Sequence, residues 1–314
     1  MHQSCRKRKP GIRGIQKGSE KRMKKYIYKK VDAFTSGSSK GNPAAFMFLG
    51  EEQFDEQQFL AIAKEHAGFI CEFVFVKGQK EDMLKLTYYS SECEVDFCGH
   101  GTIATMYEII KNDSDLLSKK EITFATNKKG ILTAYNYISD EDAVYISAPK
   151  AIFYECNIGK KVIAKALQLT EDKISDNHPI SIIDAGLKTL IVPINDFKTE
   201  VSVYPDIECL KQFVIDNEID IVLIWCKDSE KDSYFAHTRV FSPKYGYLED
   251  PATGSGNSAF ANYLLKNGYW DGEPIAVEQG GDSIEFNKVN LRTLGDKVLF
   301  GGSATLKIEG NYYI

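Results

Sequence analysis

Two similar α+β halves related by a pseudo-twofold axis are the architecture this sequence predicts, on three observations. Short apolar runs, several carrying tyrosines, alternate with stretches of helical periodicity along the chain. At 314 residues the chain is long enough to bury two ordinary cores. Glu94 to Ala104 (EVDFCGHGTIA) can be laid over Glu249 to Ala259 (EDPATGSGNSA) with Glu, Gly, Gly and Ala in register, and each segment opens a helix of small and apolar residues.

Taken in order, Tyr26, Tyr28, Val31 and Ala33 suit a strand, and GSSKGNP at 37–43 reads as a loop. Phe54, Phe59, Leu60 and Ala63 fall near helical spacing, Gly68 ends that helix, and 69–76 and 84–89 are strands. The turn-rich SSECEVDFCGHG leads into the helix TIATMYEIIKN, then strands at 131–137 and 143–146 complete a first half, 26–150. The second half, 151–314, repeats the plan. It has a helix at 161–169, strands at 180–183, 190–192, 219–225 and 237–241, the second turn, a helix with AFANYLL, and strands within 297–308 separated by Gly301 and Gly302.

Residues 1–25 carry ten Lys or Arg against one Glu, a formal +9, which leaves −14 on the rest of a chain whose total is −5. So acidic a body repels phosphate backbones, and nucleic acid is excluded as a partner. The basic head lacks an apolar stretch and reads as a disordered extension, with Met23 as the expected true start. No apolar run approaches the roughly 20 residues of a membrane span. Seven scattered cysteines without CxxC pairing fit neither a disulfide framework nor a zinc site, so a reducing cytoplasm is expected.

The matched turns are where chemistry is expected. Each brings glycines and hydroxyl or imidazole groups to a helix start, where free N–H groups and the positive end of the dipole favour an anion. Glycines let the backbone approach a ligand with no Cβ in the way. If the halves face one another, both starts point into one cleft and hold a small anionic metabolite. A single Gly-Ser turn would be read as an ordinary N-cap; a matched pair weakens that reading.

GNPAA at 41–45, AIAKEHAGFICEFVFV at 61–76, EVDFCGHGTIA at 94–104, RVFSP at 239–243, EDPATGSG at 249–256 and EQG at 278–280 resemble, in the same order, the phenazine-biosynthesis isomerase-like (PhzF) family. The resemblance covers about Lys25 to the C terminus. It implies the diaminopimelate epimerase-like fold, in which a barrel-like, mostly antiparallel sheet surrounds a central helix in each half. It also implies a cofactor-independent isomerase, often a homodimer, with a glutamate as general base. The matching position here is Glu72, whose apolar strand would raise its pKa toward neutrality. Read without the family, Glu72 would be an edge-strand residue facing water. His100 and Asp250 match positions that bind or polarise substrate, although alone they read as a satisfied turn histidine and an N-cap or Asx-turn. Asn42, Cys98, Gly99, Gly101, Thr102, Thr253, Gly254, Ser255 and Gly256 complete the expected substrate-binding set.

Racemases of this fold use one thiol from each half. Here Cys98 is matched by Thr253, far too weak an acid to serve as a second thiolate, so a two-thiol racemisation is disfavoured. Buried packing remains an equal account of Cys98. Cys93, Cys98 and His100 lack a fourth metal ligand, and no metal is assigned. Two departures from the family pattern, GGDSIEFNKVNLR after the EQG segment and Gly101 where Ala or Pro is usual, point to an altered pocket and leave the substrate open. An amino-acid epimerase and a binding protein without turnover are the competing readings.

Overall fold

A computed structural model of the chain describes residues 23–78, 83–231, 233–282 and 284–314. The basic stretch 1–22 lies outside the described residues. Met23 to Lys25, assigned by sequence to the extension, belong to the fold: Lys24 and Ile314 exchange backbone hydrogen bonds, and Lys25 opens the first strand.

The chain runs β1 (Lys25–Ala33), β2 (Asn42–Phe48), α1 (Glu56–Glu65), β3 (Glu72–Gly78), β4 (Leu84–Tyr89), β5 (Glu94–Val95) and α2 (Gly99–Lys111). Short α3 (Ser114–Leu117), β6 (Glu121–Thr126), β7 (Gly130–Tyr137), α4 (Ile138–Glu141) and β8 (Ala143–Ser147) follow. Then come β9 (Ile152–Tyr154), α5 (Lys160–Ala166), β10 (Ser181–Asp184), β11 (Lys188–Pro193), α6 (Phe197–Val201), α7 (Ile207–Asp216), β12 (Ile221–Cys226), β13 (His237–Phe241) and β14 (Glu249–Asp250). The last elements are α8 (Gly254–Lys266), β15 (Ile275–Gln279), β16 (Asn287–Leu294), β17 (Lys297–Gly302) and β18 (Ala304–Tyr313).

Strand pairing repeats from half to half. In the first, β1–β2 is antiparallel, β2–β3 parallel, β3–β4 antiparallel, β4–β6 parallel, and β6–β7–β8 antiparallel. In the second, β10–β11, β11–β12, β12–β13, β13–β15 and β15–β16–β17 follow the same alternation. β8 and β17 pair antiparallel at the seam, so one hydrogen-bonded ribbon runs through both halves. The two sheets curl around α2 and α8 respectively. α2 packs on β1, β2, β3, β8 and β18, and α8 on β10, β11, β12, β16 and β17. Both helices are buried along most of their length, as a helix enclosed on all sides requires.

Pairing crosses the expected boundary at residue 150. β18, from the second segment, pairs with β1, while β9, just past the seam, pairs with β10, so each half is flanked by the strand that follows the other half's seam strand. Several elements escaped the sequence reading. β2 begins at Asn42 inside the expected loop, because a proline can sit at a strand's start where its missing N–H costs little. The strand expected from 69 starts at Glu72, after a turn, and β6, β15, β16 and α7 had no assigned counterpart. Among the described residues no helix is long and apolar enough to cross a membrane.

Candidate active site

Glu72 is the first residue of β3, beside Ala44 of β2, and heads the run Phe73 to Val76, all buried. Its side chain lies against the start of α2: a Cβ added to Gly101 would stand 3.1 Å from Val74, 3.2 Å from Cys98 Sγ and 3.3 Å from Glu72 Cγ. Glu72 is 5% exposed and its Oε1 has no hydrogen-bond partner among the described residues. Burial pushes its pKa up from 4.5 to about 8, because the charged form loses its hydration. The water-facing alternative is therefore not the one adopted.

Cys98 caps α2, its Sγ accepting from the Gly101 N–H at 3.3 Å. The same sulfur lies 3.3 Å from Nδ1 and 3.8 Å from Nε2 of half-buried His100. Burial, and then the Glu72 charge, raise the thiol well above its ordinary pKa, while burial lowers His100 to about 4. At neutral pH this is a thiol beside a neutral imidazole, not a thiolate–imidazolium pair. Thr102, expected to touch substrate, is instead fully buried. Its hydroxyl donates to the Cys98 carbonyl (2.7 Å) and meets the Tyr88 hydroxyl (2.8 Å), so it braces the helix start.

At the second turn Asn42 Nδ2 donates to Asp250 Oδ1 (2.7 Å) and to the Ala252 carbonyl (2.8 Å), joining the GNP and EDPATG segments directly. Burial raises Asp250 to about 7, against the lowering pull of its hydrogen bonds from Thr253, Ala252 and Asn42. Asn287 fastens the same junction, accepting from Gly41 N–H (2.8 Å) and donating to the Pro251 carbonyl (2.8 Å). Gly41 has φ +69, and a Cβ there would stand 2.5 Å from the Ala33 carbonyl oxygen, so this corner demands glycine. Fully buried Gln279 accepts from Thr253 N–H (3.1 Å) and Asn257 Nδ2 (2.7 Å) and donates to the Asp250 carbonyl (2.8 Å) and Thr253 Oγ1 (3.3 Å).

The two helix starts meet at one aromatic ring. A Cβ on Gly99 would lie 3.1 Å from Phe300 Cε2, and one on Gly254 would overlap that ring. The space left by the missing Cβ is filled by Phe300 at Gly99 and Gly254, and by the strand side chains beneath them at Gly101 and Gly256. Half-buried Ser255 sits where His100 sits in the first turn, close to Gly186. The charge of Asp250, after burial and Glu72, also raises the Cys98 thiol, which puts both clusters in one electrostatic neighbourhood. Two grooves, of about 1050 Å3 beside Lys227 and Tyr234 and about 530 Å3 beside Tyr107 and Asp142, open elsewhere and are lined by none of these residues.

Sequence reasoning missed Gln279, Asn287, Phe300 and Ile221. The EQG segment was noticed, but nothing in a lone buried amide announces four partners. Ile221 matters by register. Phe73 pairs with Tyr89, and Val222 pairs with Phe241, so Ile221 takes the place of Glu72. A Cβ on Gly256 would meet Ile221 Cδ1 at 3.3 Å, as one on Gly101 meets Glu72.

Comparison with known proteins follows this geometry. A family model described as phenazine biosynthesis-like protein (PhzC-PhzF) matches residues 31–310. The chain belongs to that family. One relative, named uncharacterized isomerase YfhB, from Bacillus subtilis, is 29% identical over 274 residues, covering 86% of this chain and 91% of that protein. A crystal structure of a Bacillus anthracis phenazine biosynthesis protein of the PhzF family superposes with a TM-score of 0.81 at 23% identity, over 93% of this chain and 100% of that one. An Agrobacterium vitis hydroxyproline epimerase, solved with trans-4-hydroxy-L-proline bound, shares the fold at TM-score 0.56 and 11% identity, over 93% and 92% of the two chains. This PhzC-PhzF member is an enzyme of the isomerase class.

Proposed function

We propose that the protein shifts a proton on a small carboxylate-bearing metabolite, with Glu72 as the single general acid and base. One observation carries the reading: a buried carboxyl packs against the start of α2, and the equivalent position at α8 holds Ile221. At that position one half supplies a carboxyl and the other an aliphatic side chain; the second half's own buried carboxyl, Asp250, comes from β14 and is held by Asn42.

A carboxyl with a pKa of about 8 suits both directions of transfer near neutrality. Ionised, it removes a proton from carbon; protonated, it is a weak enough acid to return that proton to a neighbouring atom of the same molecule. The substrate carboxylate is held by the N–H groups of the two helix starts, each contributing about 0.3–1 kcal/mol through the helix dipole. His100, neutral, donates a hydrogen bond to the charge that develops as the proton leaves. Asp250, positioned by Asn42, holds a polar group of the substrate, and Ser255 offers a hydroxyl from the opposite helix start. The proton leaves and returns through Glu72, and this scheme uses no cofactor.

The test is isotope exchange. A panel of cyclic dienoic acids and amino acids is incubated with the protein in deuterated water, and deuterium is followed by mass spectrometry. Wild type is expected to label at least one acid, and Glu72→Gln to label it about 10²- to 10⁴-fold more slowly, the range of general acid–base contributions. Full exchange by Glu72→Gln, or none by wild type, rejects the reading.

A further inference from the structure

Asn287 is fully buried at the start of β16, and both ends of its amide are engaged. Its Oδ1 accepts from the Gly41 N–H and its Nδ2 donates to the Pro251 carbonyl, each at 2.8 Å. Because a backbone N–H can only donate and a carbonyl can only accept, the amide has one possible orientation. Gly41 immediately precedes Asn42 and Pro251 immediately follows Asp250, so one side chain clips together the two segments that carry the hydrogen bond between the halves. Asn42 is fixed in the same way: its Nδ2 donates to Asp250 Oδ1 (2.7 Å) and to the Ala252 carbonyl (2.8 Å), which uses both hydrogens. Asp250 Oδ1 also accepts the Ala252 N–H at 3.3 Å, so the carboxyl is held to Asn42 and the backbone by one of its oxygens.

We propose that Asn287 is a positioning residue: by holding Gly41 and Pro251 at a fixed separation it sets the Asn42–Asp250 hydrogen bond, and so orients the carboxyl that meets the substrate. Among the described residues no other side chain from outside these two segments hydrogen-bonds to both. The clip also stands on one side of the pseudo-twofold only. By strand register the positions of Asn42, Asp250 and Asn287 fall, at the other junction between the halves, on Leu187, Val95 and Gly130. None of these has a polar side chain. The fold therefore closes there without an amide clip, and what the clip adds beside Asp250 is the orientation of a side chain rather than the path of the backbone.

The inference rests on Asp250 holding substrate in the proposed isomerisation. Its test uses the free protein and no substrate, so failure here and failure of the isomerase reading are told apart. Full-length protein labelled with ¹³C at the aspartate carboxyls is titrated by NMR, the Asp250 signal being assigned by its loss in Asp250→Asn. Wild type is expected to titrate at about 7. A hydrogen bond donated to a carboxylate favours its charged form, so losing the Asn42 contact moves the titration up. Asn287→Ala should raise it by about one pH unit, as Asn42→Ala should, and the double variant should go no further than Asn42→Ala, because Asn287 acts through Asn42. The other titratable groups around Asp250 are the same in every variant: Glu249 on its own strand, Cys71 and Cys98 from the first half, and Tyr247 from the preceding loop. A residue that served stability alone would lower the melting temperature and leave this titration where it was. Wild-type titration of Asp250 in Asn287→Ala therefore overturns the proposal, and so does a double variant that shifts by the sum of the two. Should Asn287→Ala fail to fold, Asn287→Ser takes its place, with one polar atom where the clip needs two, and an unmoved Asp250 titration in that variant counts against the proposal in the same way.

Discussion

Cys98 and Thr253 enter their helices with nearly the same backbone, φ −125 and ψ 115 against φ −122 and ψ 113, and each helix that follows has 13 residues. Each ends at an asparagine, Asn112 or Asn267, whose Nδ2 donates to the carbonyl four residues back. The side chains at the two starts have nothing like this agreement. The first gathers a carboxyl, a thiol and an imidazole from Glu72, Cys98 and His100; the second presents Ile221, Thr253 and Ser255 in the same places. Matching backbones keep two dipole ends aimed at one region, which needs no particular side chain. Proton transfer needs a titratable group, and one suffices.

The largest way to test this contrast is through pH. Glu72 ordinarily titrates near 4.5 and is raised to about 8 by burial, so its folded-state pKa lies above the unfolded one. Its contribution to stability is therefore fully present below about 4.5 and is lost as pH rises through about 8, when a buried charge must be carried in the folded state. At about 1.4 kcal/mol per unit, wild type should lose several kcal/mol across this window relative to Glu72→Gln. Urea unfolding at a series of pH values measures it. Parallel curves for the two proteins would mean that the carboxyl is solvated, and the asymmetry between the halves would lose its energetic basis.

Phe300 sharpens the comparison next. Helix propensity alone favours alanine over glycine by up to about 1 kcal/mol at Gly99 and Gly254. A Cβ on Gly254 would overlap the ring, however, while one on Gly99 would stand 3.1 Å away. Gly254→Ala is expected to destabilise by about 2–3 kcal/mol and Gly99→Ala by no more than about 1. Phe300→Leu should recover most of the Gly254→Ala loss, and equal losses at the two glycines would contradict the geometry.

The smallest effect concerns how each turn is braced. By strand register Thr126 occupies the place of Gln279, yet its hydroxyl bonds Gly130 and Lys129 rather than the turn. Gln279→Ala, removing a brace shared by Asp250, Thr253 and Asn257, should cost about 2 kcal/mol. Tyr88→Phe, which removes the hydroxyl that meets Thr102, should cost about 1 kcal/mol. Thermal denaturation ranks them, and a reversed order would show that the first turn depends more on its strand.

Much of this contrast was legible in the sequence because it is local. The register of EVDFCGHG on EDPATGSG survives intact: β5 falls on β14, and Cys98 on Thr253. Pattern reading found β4 and β13 residue for residue, since both have clear boundaries. It lost β2, where Gly41 and Pro43 punctuate the entry to a buried strand. Glu72 and Asp250 were found through the family resemblance; a single acid in an apolar run carries no sign of what faces it. Gln279, Asn287 and Phe300 reach the turns through pairings far apart in sequence, and no spacing rule encodes those. The glycines were legible as special, but the ring that fills the space beside Gly99 and Gly254 lies some 50 to 200 residues away and could not be read from them.

The exchange of β9 and β18 bears on how the molecule is made. During synthesis β1 leaves the ribosome early, but the partner for its outer edge, β18, emerges only after almost the whole chain. Until then the first sheet offers an open edge, and a nascent chain in that state is a target for mispairing. Completion of the amino-terminal core must therefore wait for translation of the carboxyl-terminal strand, whatever the speed of local helix and hairpin formation.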